Sequence, residues 1–308
     1  MTTGTFKILA IDGGGIRGVF PAHILQCIEQ RLSMDIVNTF DMIAGTSTGA
    51  IIAAGIASHK SAEDIASLYQ SHGHEIFGTP KKSLWPTKFK QGFHSKYCNA
   101  SLQTVLKTQF GETRLGEISK PLLLPATDIG NGGVHVFKSN YNSDFNRDNQ
   151  VLVREAVLAS CSAPAFFDPA TVDNYHLADG GVWANNPALA AVIDARYRLG
   201  IALDDIQVLS LGTGQSITAY GRQERKGWGL LTGWKNLEFI GFLLSLQAQS
   251  TQNYLQLMLK NEQLLRLDFT SDQPLPLDDV AVMDDLLSRA DRLFSYQSAD
   301  IKQFLSKE

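Results

Sequence analysis

FKILAIDGGGIRG, residues 6–18, is the stretch of sequence that decides the fold. Its first half, Phe6–Ile11, is a mostly apolar run with the length of a buried strand. After the glycines, apolar residues recur at helical spacing, and Pro21 is tolerated in the first turn of such a helix. These apolar positions are Phe20, Ile24, Cys27, Ile28 and Leu32. A strand, a glycine loop and a helix in this order predict an α/β fold.

The same alternation continues along the chain. Strand candidates are Phe40–Ala44, Pro121–Thr127, Val134–Lys138 and Ile206–Leu211, and helix candidates are Thr48–Ala57, Ala62–His72, Ser101–Phe110, Leu152–Ser160 and Pro187–Leu199. Apolar strands separated by helices predict a mainly parallel central sheet covered on both faces. No repeat or flexible linker divides the chain, so we expect one domain over residues 1–308. Its motifs fall within about residues 6–214, and a helical elaboration follows over about residues 221–308.

The composition is that of an ordinary globular protein. Of the 308 residues, 44% are hydrophobic and 19% are charged, unlike a disordered chain. The formal net charge of −4 gives no basic field, so a nucleic acid polymer is not expected as a partner. Cys27, Cys98 and Cys161 are an odd number of cysteines without CxxC spacing. This pattern argues against a disulfide framework or a structural zinc site and favours a reducing compartment.

The N-terminal sequence has no pattern of a secretory signal, because no basic segment precedes a long apolar one. No run of about 18 or more apolar residues is present, which argues against a membrane span. We therefore expect a cytoplasmic protein, and contact with a membrane surface stays open at this point.

Residues 45–49 read GTSTG and lie between a predicted buried strand and a predicted helix of small residues. This context fits a nucleophile elbow, the sharp turn that exposes a catalytic serine at the end of a strand. Ser47 would be the nucleophile, and Gly45 and Gly49 would avoid clashes in the turn. The amides that begin the next helix would favour negative charge beside the serine. A plain turn is the alternative, because glycine, serine and threonine often cluster in turns.

Residues 13–18, GGGIRG, allow two interpretations. They match the spacing of a dinucleotide-binding loop, for which Asp35 or Asp41 is the acidic residue at about the required distance. Alternatively, the glycine amides form an oxyanion hole, in which one lost donor typically costs about 3–4 kcal/mol of barrier stabilisation. Arg17 would add positive charge there. Asp35 follows no convincing strand and Asp41 lies within the strand before GTSTG, so we favour the oxyanion hole.

Residues 179–181 read DGG and follow another strand-like stretch. A carboxylate can accept the proton of a serine directly when burial raises its pKa, so Asp179 is a candidate base. Gly180 and Gly181 would let the backbone pack close to the elbow, although an Asp-Gly turn alone is more often structural. Of the seven histidines, His176 is nearest in sequence to this aspartate. Odd spacing in an extended segment points the two side chains to opposite faces, so we favour a Ser–Asp dyad over a triad.

Together these motifs resemble the patatin-like phospholipase family, whose hallmarks are a DGGGxRG loop, a GxSxG nucleophile and a DG[GA] aspartate. The resemblance extends over about residues 6–214 and includes SCSAPAFF at 160–167, NNP at 185–187 and SLGTG at 210–214. It implies a three-layer α/β/α sandwich.

The resemblance also implies a mechanism that requires no metal or other cofactor. Ser47 would attack an ester carbonyl of a membrane phospholipid after losing its proton to Asp179, and an acyl-enzyme would form and release a fatty acid. The implied oxyanion hole consists of Gly13, Gly14 and Gly15, with Arg17 beside it.

A stand-alone member of this length further resembles phospholipase effectors of anti-phage signalling, which a cyclic oligonucleotide activates. On that basis we expect a cyclic oligonucleotide activator, action at the inner membrane surface, and a homo-oligomer as one option. Two other functions stay open. The chain could be a non-catalytic nucleotide-binding module with GGGIRG as its phosphate cradle, or a storage or interaction protein.

Two segments interrupt the regular pattern. Thr79–Tyr97 contains five lysines, no acidic residue and four regularly spaced aromatic rings, which suggests a lid at a lipid surface or else a solvated basic loop. Gly221–Leu246 contains Trp228, Trp234, Phe239 and Phe242, which would line an acyl pocket, fill the core or form a subunit contact.

Overall fold

A computed structural model of the protein describes residues 4–77, 95–216, 237–273 and 275–306, in which a central sheet lies between two layers of helices. The strands are β1 (Phe6–Ile11), β2 (Met42–Gly45), β3 (Leu122–Asp128), β4 (Gly133–Lys138), β5 (Ala170–Val172), β6 (Tyr175–Asp179), β7 (Ile206–Leu211), β8 (Gln215–Ser216), β9 (Leu264–Leu267) and β10 (Thr270–Ser271). The helices are α1 (Val19–Leu32), α2 (Ile36–Thr39), α3 (Thr48–Ala57), α4 (Ala62–Phe77), α5 (Asn99–Phe110), α6 (Val153–Cys161), α7 (Gly181–Ala184), α8 (Ala188–Tyr197), α9 (Leu237–Met258) and α10 (Met283–Leu305).

Five strands of the central sheet are parallel and stand in the order β3-β2-β1-β7-β9. At one side of this array β3 also pairs antiparallel with β4 and β6, and β6 pairs antiparallel with β5. The short strands β8 and β10 form a separate parallel pair. The mainly parallel sheet expected from the sequence is therefore confirmed.

Alternate residues of β1 contribute to different cores. Leu9 and Ile11 pack in a cluster that includes residues of α1, α3, α6 and α10, whereas Ile8 and Ala10 pack with residues of α8 and α9. Successive side chains of a strand point to opposite faces, so a strand that is apolar at every position needs cover on both sides. The three-layer α/β/α arrangement is confirmed.

Several elements begin and end where the sequence predicts, among them β1, α3 and β7. The predicted end of α4 at His72 is wrong, because the helix continues through Gly73 to Phe77. A Cβ atom on Gly73 would lie 2.9 Å from Ile16 Cδ1 and 3.4 Å from Met283 Sδ. The glycine therefore allows α4 to approach the loop after β1 and the start of α10, and it does not end the helix.

The C-terminal helices close the fold on both sides of the sheet. α10 packs on α1, and α9 packs on α7 and α8. Within the described ranges, no helix combines the length and the apolar character needed to cross a membrane. Most of the predicted lid, residues 79–94, and the tryptophan-containing part of the second segment, residues 221–236, lie outside the described residues.

Candidate active site

The three motifs singled out in the sequence converge at one edge of the sheet. The glycine loop follows β1 and GTSTG continues from β2, and these strands are parallel neighbours in which Ile11 pairs with Gly45. Asp179 ends β6, which runs antiparallel to β3. Ala44 of β2 pairs with Leu123 of β3, and Asp179 pairs with Ala126, three residues further along β3. Asp179 therefore lies just beyond the end of β2, beside the turn that contains GTSTG.

Ser47 occupies that turn in a strained backbone conformation, with φ 55° and ψ −123°. A positive φ is unfavourable for a residue with a Cβ atom and typically costs about 1–3 kcal/mol. Gly49, at the start of α3, lies against the backbone carbonyl of Ile11, where a side chain would not fit. The helix therefore packs directly on the end of β1 and keeps the turn sharp.

Two consecutive residues at the end of α6 hold both backbone polar groups of Ser47. Ser160 Oγ accepts a hydrogen bond from the N–H of Ser47 at 3.0 Å, and Cys161 Sγ donates to its carbonyl oxygen at 3.0 Å. The Ser160 hydroxyl in turn donates to the carbonyl of Pro125 in β3 at 2.6 Å. These contacts fix the strained turn to the sheet.

Asp179 lies beside the elbow and is almost completely buried, with 5% of its surface exposed. Its Oδ1 accepts the Gly181 N–H at 2.6 Å. Burial raises the pKa of Asp179 to about 7, against opposing contributions from the Ser47 hydroxyl and the Gly181 N–H. Its Oδ2 has no hydrogen bond of standard geometry among the described residues. The serine is thus close enough to influence the carboxyl but not yet aligned with it, as is common before substrate binds.

The glycine loop presents only part of its backbone to the site. The Gly13 N–H donates to the carbonyl of Asn185 at 3.0 Å and is therefore occupied. Gly14 and Gly15 line the cavity next to Ser47, and Gly15 has a positive φ of 58° that favours glycine.

Arg17 is buried behind this loop and does not line the cavity. Its guanidinium donates to the carbonyl oxygens of Gly14 and Gly214, both at 3.2 Å. The side chain thus holds the loop from behind, and it does not present its charge to the cavity as the sequence suggested.

A cavity of about 370 Å³ opens beside Ser47 and Asp179. Its walls are almost entirely aliphatic and aromatic, and they come mainly from α4, α9 and the segment after α6. The volume and the apolar lining are typical of small-molecule and acyl-chain sites. No histidine is among the described residues that line it, and His176 is exposed while Asp179 is buried.

The acidic residues offered for a dinucleotide site serve other purposes. Asp35 caps α2 by accepting the Asn38 N–H at 3.1 Å. Asp41 precedes β2 and accepts the Lys7 N–H at 2.7 Å, which places it at the sheet edge opposite the glycine loop. A ribose-binding acid belongs at the carboxyl end of the second strand, so this geometry disfavours a dinucleotide cradle.

A buried ion cluster supports the glycine loop from β9. Arg266 donates to both carboxylate oxygens of Asp12, at 2.9 and 2.6 Å, and to Asp268 at 2.8 Å. Asp268 also accepts the Gly214 N–H at 2.9 Å. The cluster therefore connects the end of β1 with the loop after β7.

Sequence reasoning assigned no role to Ser160, Cys161 or Arg266. The first two lie in SCSAPAFF, which resembles the family's sequence before the aspartate, but nothing in the sequence indicates that they face the elbow. Arg266 lies beyond the motif-bearing part, and its partner Asp12 is 254 positions away. Such long-range contacts leave no local signal.

Comparisons with known proteins cover the part of the chain that contains the three motifs. A family model described as "Patatin-like phospholipase" matches residues 9–192. The chain is 31% identical over 266 residues to a cGAMP-activated phospholipase of Pseudomonas aeruginosa, covering 83% of this chain and 76% of that protein. It is 27% identical over 319 residues to a cUMP-AMP-activated phospholipase of Escherichia coli, covering 97% and 93%. Among solved structures, VipD from Legionella pneumophila aligns with a TM-score of 0.47 at 12% identity, covering 95% of this chain and 67% of that one.

Proposed function

The chain belongs to the patatin-like phospholipase family, and from this premise we propose that it releases fatty acids from membrane phospholipids through Ser47 and Asp179. One observation carries the proposal: a serine in a strained, clamped turn lies beside a buried carboxyl at an apolar cavity. A serine and a base in this relation are typical of nucleophilic catalysis.

In the proposed reaction Asp179 first acts as a general base. Its pKa of about 7 leaves a substantial ionised fraction at neutral pH and makes the carboxylate a better proton acceptor than an ordinary aspartate. Oδ2 takes the proton of Ser47 Oγ as the oxygen attacks the ester carbonyl. The same proton passes to the departing lysophospholipid oxygen, which leaves an acyl-enzyme. Asp179 then takes a proton from water, the resulting hydroxide attacks the acyl carbonyl, and Ser47 recovers its proton.

The oxyanion of each tetrahedral intermediate would be bound by the N–H groups of Gly14 and Gly15. Both residues line the cavity, whereas the Gly13 N–H is occupied by Asn185. We therefore restrict the donors to two of the three glycines and assign Arg17 to holding their loop. Preformed backbone donors stabilise the transition state because they need no reorganisation when charge develops.

The cavity would accept one acyl chain. Its apolar walls surround the position of Ser47, so a chain bound there carries its ester to the nucleophile. The proposed substrate is a phospholipid within a bilayer. We therefore propose that the reaction takes place at the inner surface of the membrane.

Activation by a cyclic oligonucleotide is the regulatory part of the proposal. It is supported by two relatives, one described as cGAMP-activated and the other as cUMP-AMP-activated, which match 83% and 97% of this chain. In this scheme the nucleotide switches on membrane degradation as an anti-phage response.

We also propose that residues 1–308 form one domain. Support comes from β9, which pairs with β7 in the central sheet, and from α10, which packs on α1. The C-terminal elements thus share a core with the motif-bearing part.

The test is fatty-acid release from mixed phospholipid vesicles by the wild type, Ser47→Ala and Asp179→Asn, with and without cGAMP or cUMP-AMP. We expect release by the wild type to rise with one nucleotide and both variants to be inactive while folded. Near-wild-type release by either variant would overturn the dyad. Release by the wild type that no cyclic nucleotide changes would overturn the activation and leave the hydrolysis intact.

A further inference from the structure

We propose that His23, Cys27 and Asp291 form a binding site for a divalent transition-metal ion of the Zn²⁺ class, between α1 and α10. The two α1 residues are four positions apart and share a helix face, and Asp291 approaches from α10. One ligand atom from each residue lies within 4.8 Å of the other two. Imidazole, thiolate and carboxylate are the three ligand types that zinc binds in proteins.

The distances resemble those of a tetrahedral site. His23 Nε2 lies 3.3 Å and Cys27 Sγ 3.8 Å from Asp291 Oδ1. With zinc–ligand bonds of about 2.0–2.3 Å, neighbouring ligand atoms lie about 3.3–3.8 Å apart. Two of the three distances thus match a tetrahedral site, and the third, between the His23 and Cys27 ligand atoms, is within 4.8 Å.

The imidazole of His23 is already oriented as a ligand. Its Nδ1 lies 3.0 Å from Gln26 Oε1, an acceptor that places the ring proton on this nitrogen. The other nitrogen, Nε2, is buried and has no hydrogen bond of standard geometry among the described residues. Metal-binding histidines commonly use one ring nitrogen for such an outer hydrogen bond and the other for the ion.

Arg31 competes for the same carboxylate. Its guanidinium donates to Asp291 Oδ1 at 2.6 Å, and its side chain is 49% exposed. The ion would take Oδ1 and Arg31 would move to Oδ2, which the long, half-exposed side chain can reach. Asp291 is itself 46% exposed, so water can fill the fourth coordination position.

Binding of the ion would release one proton from the protein. This is the thiol proton of Cys27, which passes to solvent as the thiolate forms. The ion would fasten α10 to α1, the helix that follows the glycine loop. None of its three ligands lines the cavity, so the site is separate from the proposed hydrolysis. The spacing of the cysteines could not indicate it, because Cys27 and Asp291 are 264 positions apart.

The test is titration of the chelator-treated full-length protein with Co²⁺ and Zn²⁺. Cobalt bound to a cysteine thiolate gives a sulfur-to-metal charge-transfer band in the near ultraviolet, and zinc should then displace it. In the wild type we expect this band to saturate at one equivalent of Co²⁺ per protein chain. Saturating Zn²⁺ should raise Tm by several degrees.

Matched variants separate this site from other ligands. Cys98 is an exposed free cysteine, so Cys98→Ser is the control that should keep the band, whereas Cys27→Ser should lose it. His23→Gln should weaken binding at least about tenfold. Arg31→Gln should tighten binding, since it removes the competing cation from Asp291.

Three outcomes would overturn the proposal: no charge-transfer band in the wild type, a band that survives Cys27→Ser, or a Tm that Zn²⁺ does not raise. A structural ion pair alone predicts that Arg31→Gln lowers Tm and confers no gain in metal affinity. If Cys27→Ser does not fold, His23→Gln and Cys98→Ser decide the result, because only the former should weaken binding. Vesicle hydrolysis without metal should persist, so failure here leaves the proposed function untouched.

Discussion

The hydroxyl of Ser160 accepts a hydrogen bond from the backbone N–H of Ser47 at 3.0 Å and donates one to the carbonyl oxygen of Pro125 in β3 at 2.6 Å. The proposed nucleophile is therefore held by a buried side chain that does not itself line the cavity. An N–H at a strained turn has left the hydrogen-bond ladder of its strand, and a buried N–H without an acceptor is costly. Ser160 supplies that acceptor.

Removing this acceptor should impair catalysis more than binding. We expect Ser160→Ala to lower kcat by about 10- to 100-fold with little change in KM, because a small displacement of a nucleophile slows its attack. Ser162→Ala is the matched control, since the Ser162 hydroxyl donates only to the carbonyl of Leu158 within its own segment. Steady-state kinetics on a soluble ester decides between them. Equal kinetics in the two variants would refute the positioning role.

Backbone strain at Ser47 predicts a difference between two inactive variants. Ser47→Gly removes the Cβ atom that makes φ 55° unfavourable, whereas Ser47→Ala keeps it. We expect the glycine variant to exceed the alanine variant by about 1 kcal/mol in free energy of unfolding, after the entropy cost of glycine. Urea unfolding measures the difference. An alanine variant that is equally stable would show that the strain at this turn is no larger than the entropy cost of glycine.

The pH dependence of hydrolysis should follow Asp179. Only the ionised carboxylate accepts the serine proton, and burial raises the pKa of this group to about 7. We therefore expect kcat/KM to rise with pH through a midpoint near 7 as one proton is lost. Stopped assays from pH 5 to 9, with the fold monitored by circular dichroism, provide the profile. A rate that is constant between pH 5 and 8 would contradict Asp179 as the base.

The same pKa predicts how stability responds to pH. In the unfolded chain an aspartate ionises near pH 4, but in the folded protein burial keeps Asp179 protonated up to about pH 7. Its contribution to stability is thus full below about pH 4 and declines as pH rises to about 7. Integration over this window gives a loss of roughly 4 kcal/mol. Asp179→Asn should therefore gain stability relative to the wild type between pH 5 and pH 8, as urea unfolding would show. A constant difference would contradict the buried, protonated state.

The sequence predicted the strand–loop–helix units and brought the residues of the candidate site to attention because both depend on short-range patterns. The apolar run Phe6–Ile11 and the glycines of GTSTG constrain the backbone within a few residues of themselves. Which amides face the cavity depends instead on Asn185, whose carbonyl occupies the Gly13 N–H from the other side of the site. Sequence spacing contains no information about such a contact.

Glycine also shows why element ends are hard to predict. Gly15 adopts a positive φ in the loop after β1. Gly73 instead lies inside a continuous helix, where the lack of a side chain leaves room for Ile16 and Met283. Both positions look like helix breakers in the sequence. Only the packing partners, which come from distant parts of the chain, distinguish a turn from a close contact.

Arg266 provides the test of how far the C-terminal part supports the site. Its removal leaves the buried carboxylates of Asp12 and Asp268 without their shared cation, which typically costs about 3–5 kcal/mol. We expect Arg266→Met to lose that much free energy of unfolding and most of its hydrolytic activity. The control is Arg289→Met, which breaks the partly exposed pair with Asp285 and should cost less than about 1 kcal/mol. Equal losses would mean that the cluster beneath the glycine loop contributes no more than a surface ion pair.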